Sequence, residues 1–414
     1  MSDALPFDTA LLDKLAEAVV RTGLNVSEGQ NVFLTGSAEA LPLIRRVARE
    51  AYKAGAGIVV PVLSDEDLTR ARMELARDEA LDAAPAWLYQ GVAQAFEDNW
   101  ARCHIAADNP MALADQDPAR VARAARANSK AYKPAMAKIA NFEINWSIAA
   151  YPGRAWAEQV FPDLDADAAQ AALAQAIFKA SRVDVEDPVA AWAEHNVELA
   201  RRRDWLNAQR FDALHFRSEG TDLTVGLADG HLWAGGAAEA KNGIVCNPNM
   251  PTEEVFTTPH KMRVSGRARA SKPLAYQGTL IDGIEVVFED GRITEARASR
   301  GEQAFLNLLD TDEGARRLGE VALVPHASPI SQSGVLFYNT LFDENAACHI
   351  ALGNCYTECL EDGGALTGDA LAARGGNESL VHVDWMIGAK DTEIDGIAAD
   401  GTRVPVFRGG NWAD

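Results

Sequence analysis

One change of texture, near residue 210, limits what this chain can fold into more than any other feature. Before it, short continuous apolar runs alternate with helical stretches. Leu11, Leu12, Leu15 and Val19 recur at helical spacing, and "NVFLTG" follows as a short buried strand. Next come "AEALPLIRRVAREAYKAG", a helical pattern closed by Gly55, and "IVVPVL", a second strand. Strand, helix, strand in that order requires a crossover and hence a parallel pair. The alternation continues through "RCHIAA", an Ala-rich helix from about Pro118 to Ala137, and "INWSIAA". Two further helical patterns, "AAQAALAQAIFKA" and "PVAAWAEHNVELARRRDWLNA", end near Asn207. The expectation is an α/β domain with a parallel sheet and trailing helices, residues 1–210.

From Phe211 onward the runs shorten and are punctuated by Gly, Asp and Asn: "DLTVGL", "HLWAGG", "IEVVFEDGRI", "LVHVDWMIG". "EDGRI" and "ADGTRV" are hairpin signals, because Asp-Gly supplies the positive φ that a tight turn needs. Residues 211–414 therefore read as a mainly antiparallel α+β domain with one or two helices, one of them within "GEQAFLNLLDTDEGARRLGEVAL". A length of 414 residues exceeds what one core usually serves, in keeping with two domains.

Charge narrows the partners. Lys and Arg number 39 against 60 Asp and Glu, and 39 − 60 gives −21, which repels nucleic acid and anionic membrane surfaces. The opening "MSDALPFDTALLDKLAEAVV" has neither a basic start nor the apolar run of a secretory signal, and no stretch approaches a membrane span. Five cysteines, an odd number, point to reduced thiols and a cytoplasmic setting. Cys348, Cys355 and Cys359 cluster with His349, but without the close Cys-x-x-Cys hooks of a structural zinc site.

The α/β half has no chemistry of its own by motif. "LTGSAEA" has one glycine where a dinucleotide turn wants three, and phosphate-loop, nucleophile-elbow and H-E-x-x-H patterns are missing. The second half differs. In "VHVDW" a spacing of two puts His382 and Asp384 on one face of a strand, with Val381, Val383 and Trp385 on the other. That suits a pair of metal ligands, and equally a His hydrogen-bonded to its neighbour. Glu253 and Glu254 follow Pro251, where they fit a helix first turn as well as a site. Glu320 fits a surface strand, His349 a core histidine, and Tyr356 a packing tyrosine; Asp343, Glu344 and His326 lie in the same segments. Several carboxylates facing one another repel unless a cation neutralises them, and carboxylate with imidazole suits zinc, cobalt or manganese. More than four such groups suggest two ions.

In "NPNMPTEEVFTTP", "GEVALVPHASPISQSGVLFYNTLFDENAACHIALGNCY" and "VHVDWMIG" the chain resembles the M29 family of metallopeptidases, with weaker similarity through "GTDLTVGLADGHLWAGG". The resemblance spans essentially the whole chain and is specific mainly between Gly220 and Gly388. It implies a cytosolic aminopeptidase acting on small peptides, a homodimer, and two divalent ions per chain, whether zinc, cobalt, manganese or magnesium. The ligands it implies are Glu254, Glu320, His349, His382 and Asp384, with Glu344 as a sixth ligand or a neighbouring carboxylate. Tyr356 would reach the same site, and Glu320 or Glu344 would carry the water proton. For the free amine of the substrate Glu253 is a candidate, against a plain outward-facing Glu. Alternatives are a metal-dependent hydrolase of another amide or ester, and a non-enzymatic protein with a structural metal.

Overall fold

The computed structural model describes residues 5–276 and 278–413. Its chain forms two compact units: the first runs to His195 and adds Ala237–Pro251, the second comprises Asn196–Gly236 and everything from Thr252. The division falls inside the helix Pro188–Gln209.

In the first unit, strands β1 (Val32–Ser37), β2 (Val59–Ser64), β3 (Ala101–Ala106) and β4 (Trp146–Ala150) form one parallel sheet in the order β2-β1-β3-β4. Pro61 sits in β2, an edge strand, where a missing N–H costs no ladder bond. The helix Leu41–Lys53 is the crossover from β1 to β2 and buries Leu43, Ile44 and Val47. Between β2 and β3 the chain adds helices Glu66–Leu75 and Ala86–Glu97; the latter sends Val92 and Phe96 into a cluster with Phe33, Ile139 and Ile144. Sequence periodicity left residues 65–97 unassigned.

The second unit opens with the hairpin β5 (Ala213–Ser218) and β6 (Thr221–Leu227). A small ribbon, β7 (Ala238–Glu239) with β8 (Val245–Cys246), belongs to the first unit. The second unit continues with β9 (Val255–Thr257), β10 (Pro259–Arg269), β11 (Leu274–Tyr276), β12 (Thr279–Ile281), β13 (Glu285–Glu289) and β14 (Arg292–Arg297). After the helix Glu302–Leu309 come β15 (Leu318–Leu323), β16 (His349–Gly353), β17 (His382–Met386), β18 (Glu393–Ile397), β19 (Arg403–Arg408) and β20 (Asn411–Trp412). Both hairpins signalled by Asp-Gly are present, β13 to β14 and β18 to β19. At Gly291, φ is +77° and an added Cβ would sit 1.8 Å from the Lys261 carbonyl oxygen, so the turn admits only glycine.

Eight antiparallel strands form a sheet in the order β14-β13-β10-β6-β5-β18-β19-β20, and four form a second, β17-β16-β15-β9. The two share one core. Leu214, Phe216, Val225, Val264, Phe288 and Phe407 enter it from the large sheet; Val321, Leu323, Ile350, Leu352, Val383 and Trp385 enter from the small one. The opposite face of the small sheet is thereby left for polar side chains. The expected class, an α/β part with a parallel sheet and a mainly antiparallel α+β part, is the observed one. Among the described residues no helix is long and apolar enough to cross a membrane.

Candidate metal centre

Register in the small sheet decides which side chains meet. Glu320 of β15 pairs with Ala351 of β16, and Ala351 pairs with Asp384 of β17, so the three form one row across the sheet. A second row runs Phe256, Ala322, His349, Met386 from β9 to β17. His382 pairs with Gly353. Because side chains alternate, Glu320, His349, His382 and Asp384 all project from one face, and Ile350, Leu352, Val383 and Trp385 from the other. Glu254 immediately precedes β9 and reaches the same place.

What lies between these side chains matters equally. Glu320 and Asp384 stand two strands apart, roughly 10 Å between backbones, and the position between them holds only the methyl group of Ala351. Ala322 and Gly353 keep the neighbouring positions small. At Gly353 φ is +102°, and a Cβ would lie 2.1 Å from the Val381 carbonyl oxygen, so no larger residue can stand opposite His382.

The side chains converge tightly. His349 Nε2 lies 3.2 Å from Glu254 Oε2, 3.8 Å from Glu320 Oε1 and 3.9 Å from Asp384 Oδ1. His382 Nε2 lies 3.1 Å from Glu320 Oε2 and 3.5 Å from Asp384 Oδ1. Two triads result, Glu254–Glu320–His349 and Glu320–His382–Asp384, each with ligand atoms within 4.8 Å of one another. Glu320 belongs to both, with one oxygen turned toward each histidine. Glu254, Glu320 and His349 are 7%, 3% and 1% exposed.

Both histidines are pre-oriented. His349 Nδ1 is 3.2 Å from the Ala347 carbonyl oxygen and His382 Nδ1 is 2.7 Å from that of Asn354. A carbonyl only accepts, so Nδ1 carries the proton and donates it, which turns Nε2 toward the carboxylates as metal-ligating histidines do.

Burial, helped by the charges of Glu320 and Asp384, pushes the Glu254 pKa up against the pull of His349. Burial, then the charges of Glu254 and Asp384, raises Glu344 well above its ordinary value. For both histidines burial opposes the charged form, but the facing carboxylates outweigh it and hold the pKa values well above normal. Burial alone would raise Asp384; His382 and His349 pull it down instead. The carboxylates of the cluster thus favour a positive charge between them. Glu254 Oε2, Asp384 Oδ1 and His382 Nε2 are buried yet form no hydrogen bond of acceptable geometry, despite their close ionic neighbours. Carboxylate oxygens and imidazole nitrogens gathered within 4.8 Å of one another, several without a well-formed hydrogen bond, fit a divalent ion of mixed oxygen and nitrogen preference.

Glu344 is half-buried beside the cluster, its Oε1 3.4 Å from Asn345 Nδ2, and belongs to neither triad. Tyr356 stacks obliquely on His382, ring centroids 4.7 Å apart, and meets Phe256 edge-on at 5.6 Å. Partial burial, then the charges of Glu320, Asp384, Glu344 and Glu254, hold its phenol pKa well above the usual value. Glu253 is buried, 4% exposed, and its N–H donates to Asn345 Oδ1 at 2.6 Å. Asp343 is buried too and accepts from the N–H groups of Phe337 and Asn339. His326 stands apart, its Nδ1 3.0 Å from Ser331 Oγ. Cys348, Cys355 and Cys359 are free and buried, and none enters either triad; burial pushes the Cys348 thiol up to about 12. Phe256, Asn354 and Ala351 escaped sequence reasoning, since nothing local marks a residue that matters only through its cross-strand partner.

Comparison with known proteins finds relatives that match nearly the whole chain. A family model described as thermophilic metalloprotease (M29) matches residues 8–412. Aminopeptidase T of Thermus thermophilus is 53% identical over 401 residues, covering 97% of this chain and 98% of that protein. Aminopeptidase 2 of Geobacillus stearothermophilus is 47% identical over 402 residues, covering 97% of each. The solved structure of wild-type AmpT from Thermus thermophilus superposes with a TM-score of 0.93 at 51% identity, covering 98% of this chain and 99% of that one.

Proposed function

The chain belongs to the M29 family of thermophilic metalloproteases, and from that premise we propose that it is an aminopeptidase in which two divalent ions would be held by two residue sets with Glu320 common to both. The coarser part is plain: it is a metal-dependent aminopeptidase, a hydrolase that takes peptides as substrates. The dinuclear reading rests on one observation, the presence of Glu320 in both triads with its two oxygens turned to different histidines. Glu254 and His349 would complete one site, His382 and Asp384 the other.

Divalent ions held there would polarise the scissile carbonyl and lower the pKa of a water. The remaining work falls to the chain. Glu320 is turned to both histidines, so Glu344, which stands outside the triads, is the better placed of the two to take the water proton and hand it to the leaving amine. Tyr356 keeps its proton across the working pH range and donates to the oxyanion. The buried ligands favour a chain end over a loop, which supports short peptides as substrates and leaves Glu253, also buried, as a contact for the free amine. The net charge of −21 and five free cysteines support a cytoplasmic setting; residues 211–414 would be the catalytic part, 1–210 an accessory α/β domain, and a homodimer the assembly.

The test is removal of metal. Chelation is expected to abolish release of amino acids from free peptides, and added zinc or cobalt to restore it, with the circular dichroism spectrum unchanged throughout. Loss of the fold instead would mark a structural ion. Peptides with a blocked amino terminus should resist cleavage; equal rates would overturn the exopeptidase assignment in favour of a broader amide hydrolase. Tyr356→Phe should lower kcat by about 10²–10³-fold with little change in KM, measured with leucyl p-nitroanilide.

A further inference from the structure

After Gly353, the last residue of β16, the chain leaves the small sheet, and it rejoins that sheet at His382, the first residue of β17. Two backbone hydrogen bonds close the neck of this excursion: the Cys355 N–H donates to the Asn377 carbonyl oxygen at 2.9 Å, and the Asn354 N–H to that of Val381 at 2.7 Å. The neck adjoins the candidate metal centre. His382 Nδ1 donates to the Asn354 carbonyl oxygen at 2.7 Å, His382 stands opposite Gly353 in the strand register, and Tyr356 follows Cys355.

Two side chains fasten the neck. Asn377, 3% exposed, donates through Nδ2 to the Gly353 carbonyl oxygen at 2.6 Å and to that of Gly314 at 2.9 Å, which uses both hydrogens of its amide. Asp312 accepts from the Leu380 N–H at 2.7 Å, from Ser379 Oγ at 2.8 Å and from the Ala315 N–H at 2.8 Å. Both therefore tie the approach to β17 to one turn, residues 312–315, which leads into β15 and Glu320. At Gly314 a Cβ would lie 2.0 Å from the Glu378 carbonyl oxygen, so the two segments meet backbone to backbone. A shift of about 1 Å in the Asn354 carbonyl would carry its bond to His382 out of hydrogen-bonding range. The neck is thus where the orientation of this imidazole is decided.

We propose that Asn377 and Asp312 are positioning residues for His382: through the neck they hold the Asn354 carbonyl against Nδ1 and so aim Nε2 at Glu320, and they serve the Glu320–His382–Asp384 triad alone. The inference rests on the two-ion reading and deepens it. The other triad has separate supports, since His349 Nδ1 meets the Ala347 carbonyl oxygen and Glu254 stands just before β9. Loosening the neck should therefore weaken the hold on one ion and spare the other.

Two variants of the full chain test this. Asn377→Ala removes both side-chain bonds; Asp312 is only half-buried, so Asp312→Asn should fold while losing one of its acceptor oxygens. Zinc titration against a chromophoric chelator is expected to show, in either variant, one of two equivalents weakened roughly 10–100-fold and the other unchanged. In the metal-free protein the Nδ1–H resonance of His382, assigned by its loss in His382→Ala, should be visible in the wild type and lost to solvent exchange in both variants. Leu214→Ala, in the core behind the large sheet, is the control: it should lower the melting temperature and leave both readouts as they are. Two equivalents weakened together, in step with melting temperature, overturn the proposal, and so does an Nδ1–H resonance retained in Asn377→Ala. A wild-type chain that takes up fewer than two equivalents overturns the two-ion reading instead, and the resonance, read without metal, still decides the role of Asn377 and Asp312.

Discussion

Replacing Glu320 with Gln is expected to lower kcat/KM roughly 10²–10⁴-fold, a loss on the scale of removing an acid–base group, and to halve the bound metal or worse. The reason is position. Each of the other proposed ligands belongs to one triad, whereas Glu320 turns one oxygen toward His349 and the other toward His382. An amide keeps the shape and one acceptor but removes the charge and substitutes an NH₂ donor for the other acceptor, so one triad loses its oxygen. His349→Ala or His382→Ala should empty one triad and spare the other, giving an intermediate metal content. Elemental analysis after gel filtration, alongside kinetics with leucyl p-nitroanilide, decides the matter. Full metal content in Glu320→Gln would refute sharing.

The second large effect is on stability. Trp385→Ala should cost about 3–5 kcal/mol, as truncation of a buried aromatic does, measured by urea denaturation of the metal-free protein. Trp385 is fully buried, packs edge-on against Phe305 at 6.5 Å, and belongs to the core shared by both sheets of the second unit. It also lies between Asp384 and Met386 on β17, so its anchor on the inner face positions His382 and Asp384 on the outer one. A metal that bound only the folded form would, at about 100 times its dissociation constant, return close to 2.7 kcal/mol. The variant should therefore gain more visibly from zinc or cobalt than its starting stability suggests. A loss below about 1 kcal/mol would show that the strand is held by its hydrogen bonds alone.

Much of the site was legible in one strand and little of it elsewhere. His382 and Asp384 could be paired from spacing because a strand repeats every two residues, and that arithmetic is local. Glu254, Glu320 and His349 could not be joined to them by the same means. Their meeting depends on the register of β15, β16 and β17, set by core contacts between residues far apart in sequence, and only the resemblance in "PTEEVF", "GEVALV" and "ACHIALG" linked them. Ala351 illustrates the limit: an alanine in an apolar run carries no mark, yet it sits centrally between Glu320 and Asp384. Hairpins were readable at Asp290–Gly291 and Asp400–Gly401 because Asp-Gly encodes its own turn. Helices Glu66–Leu75 and Ala86–Glu97 went unread, since each buries few residues and so shows weak periodicity.

The pairing of β17 with β16 carries a further implication. A shift by a single residue would invert the strand, sending an imidazole and a carboxylate into hydrocarbon and two large apolar groups into water. Only one alignment satisfies both faces at once, and only that alignment gathers Glu320, His349, His382 and Asp384 on one face. An ion held by these residues would therefore favour the correctly threaded sheet, since a misthreaded one could not gather them.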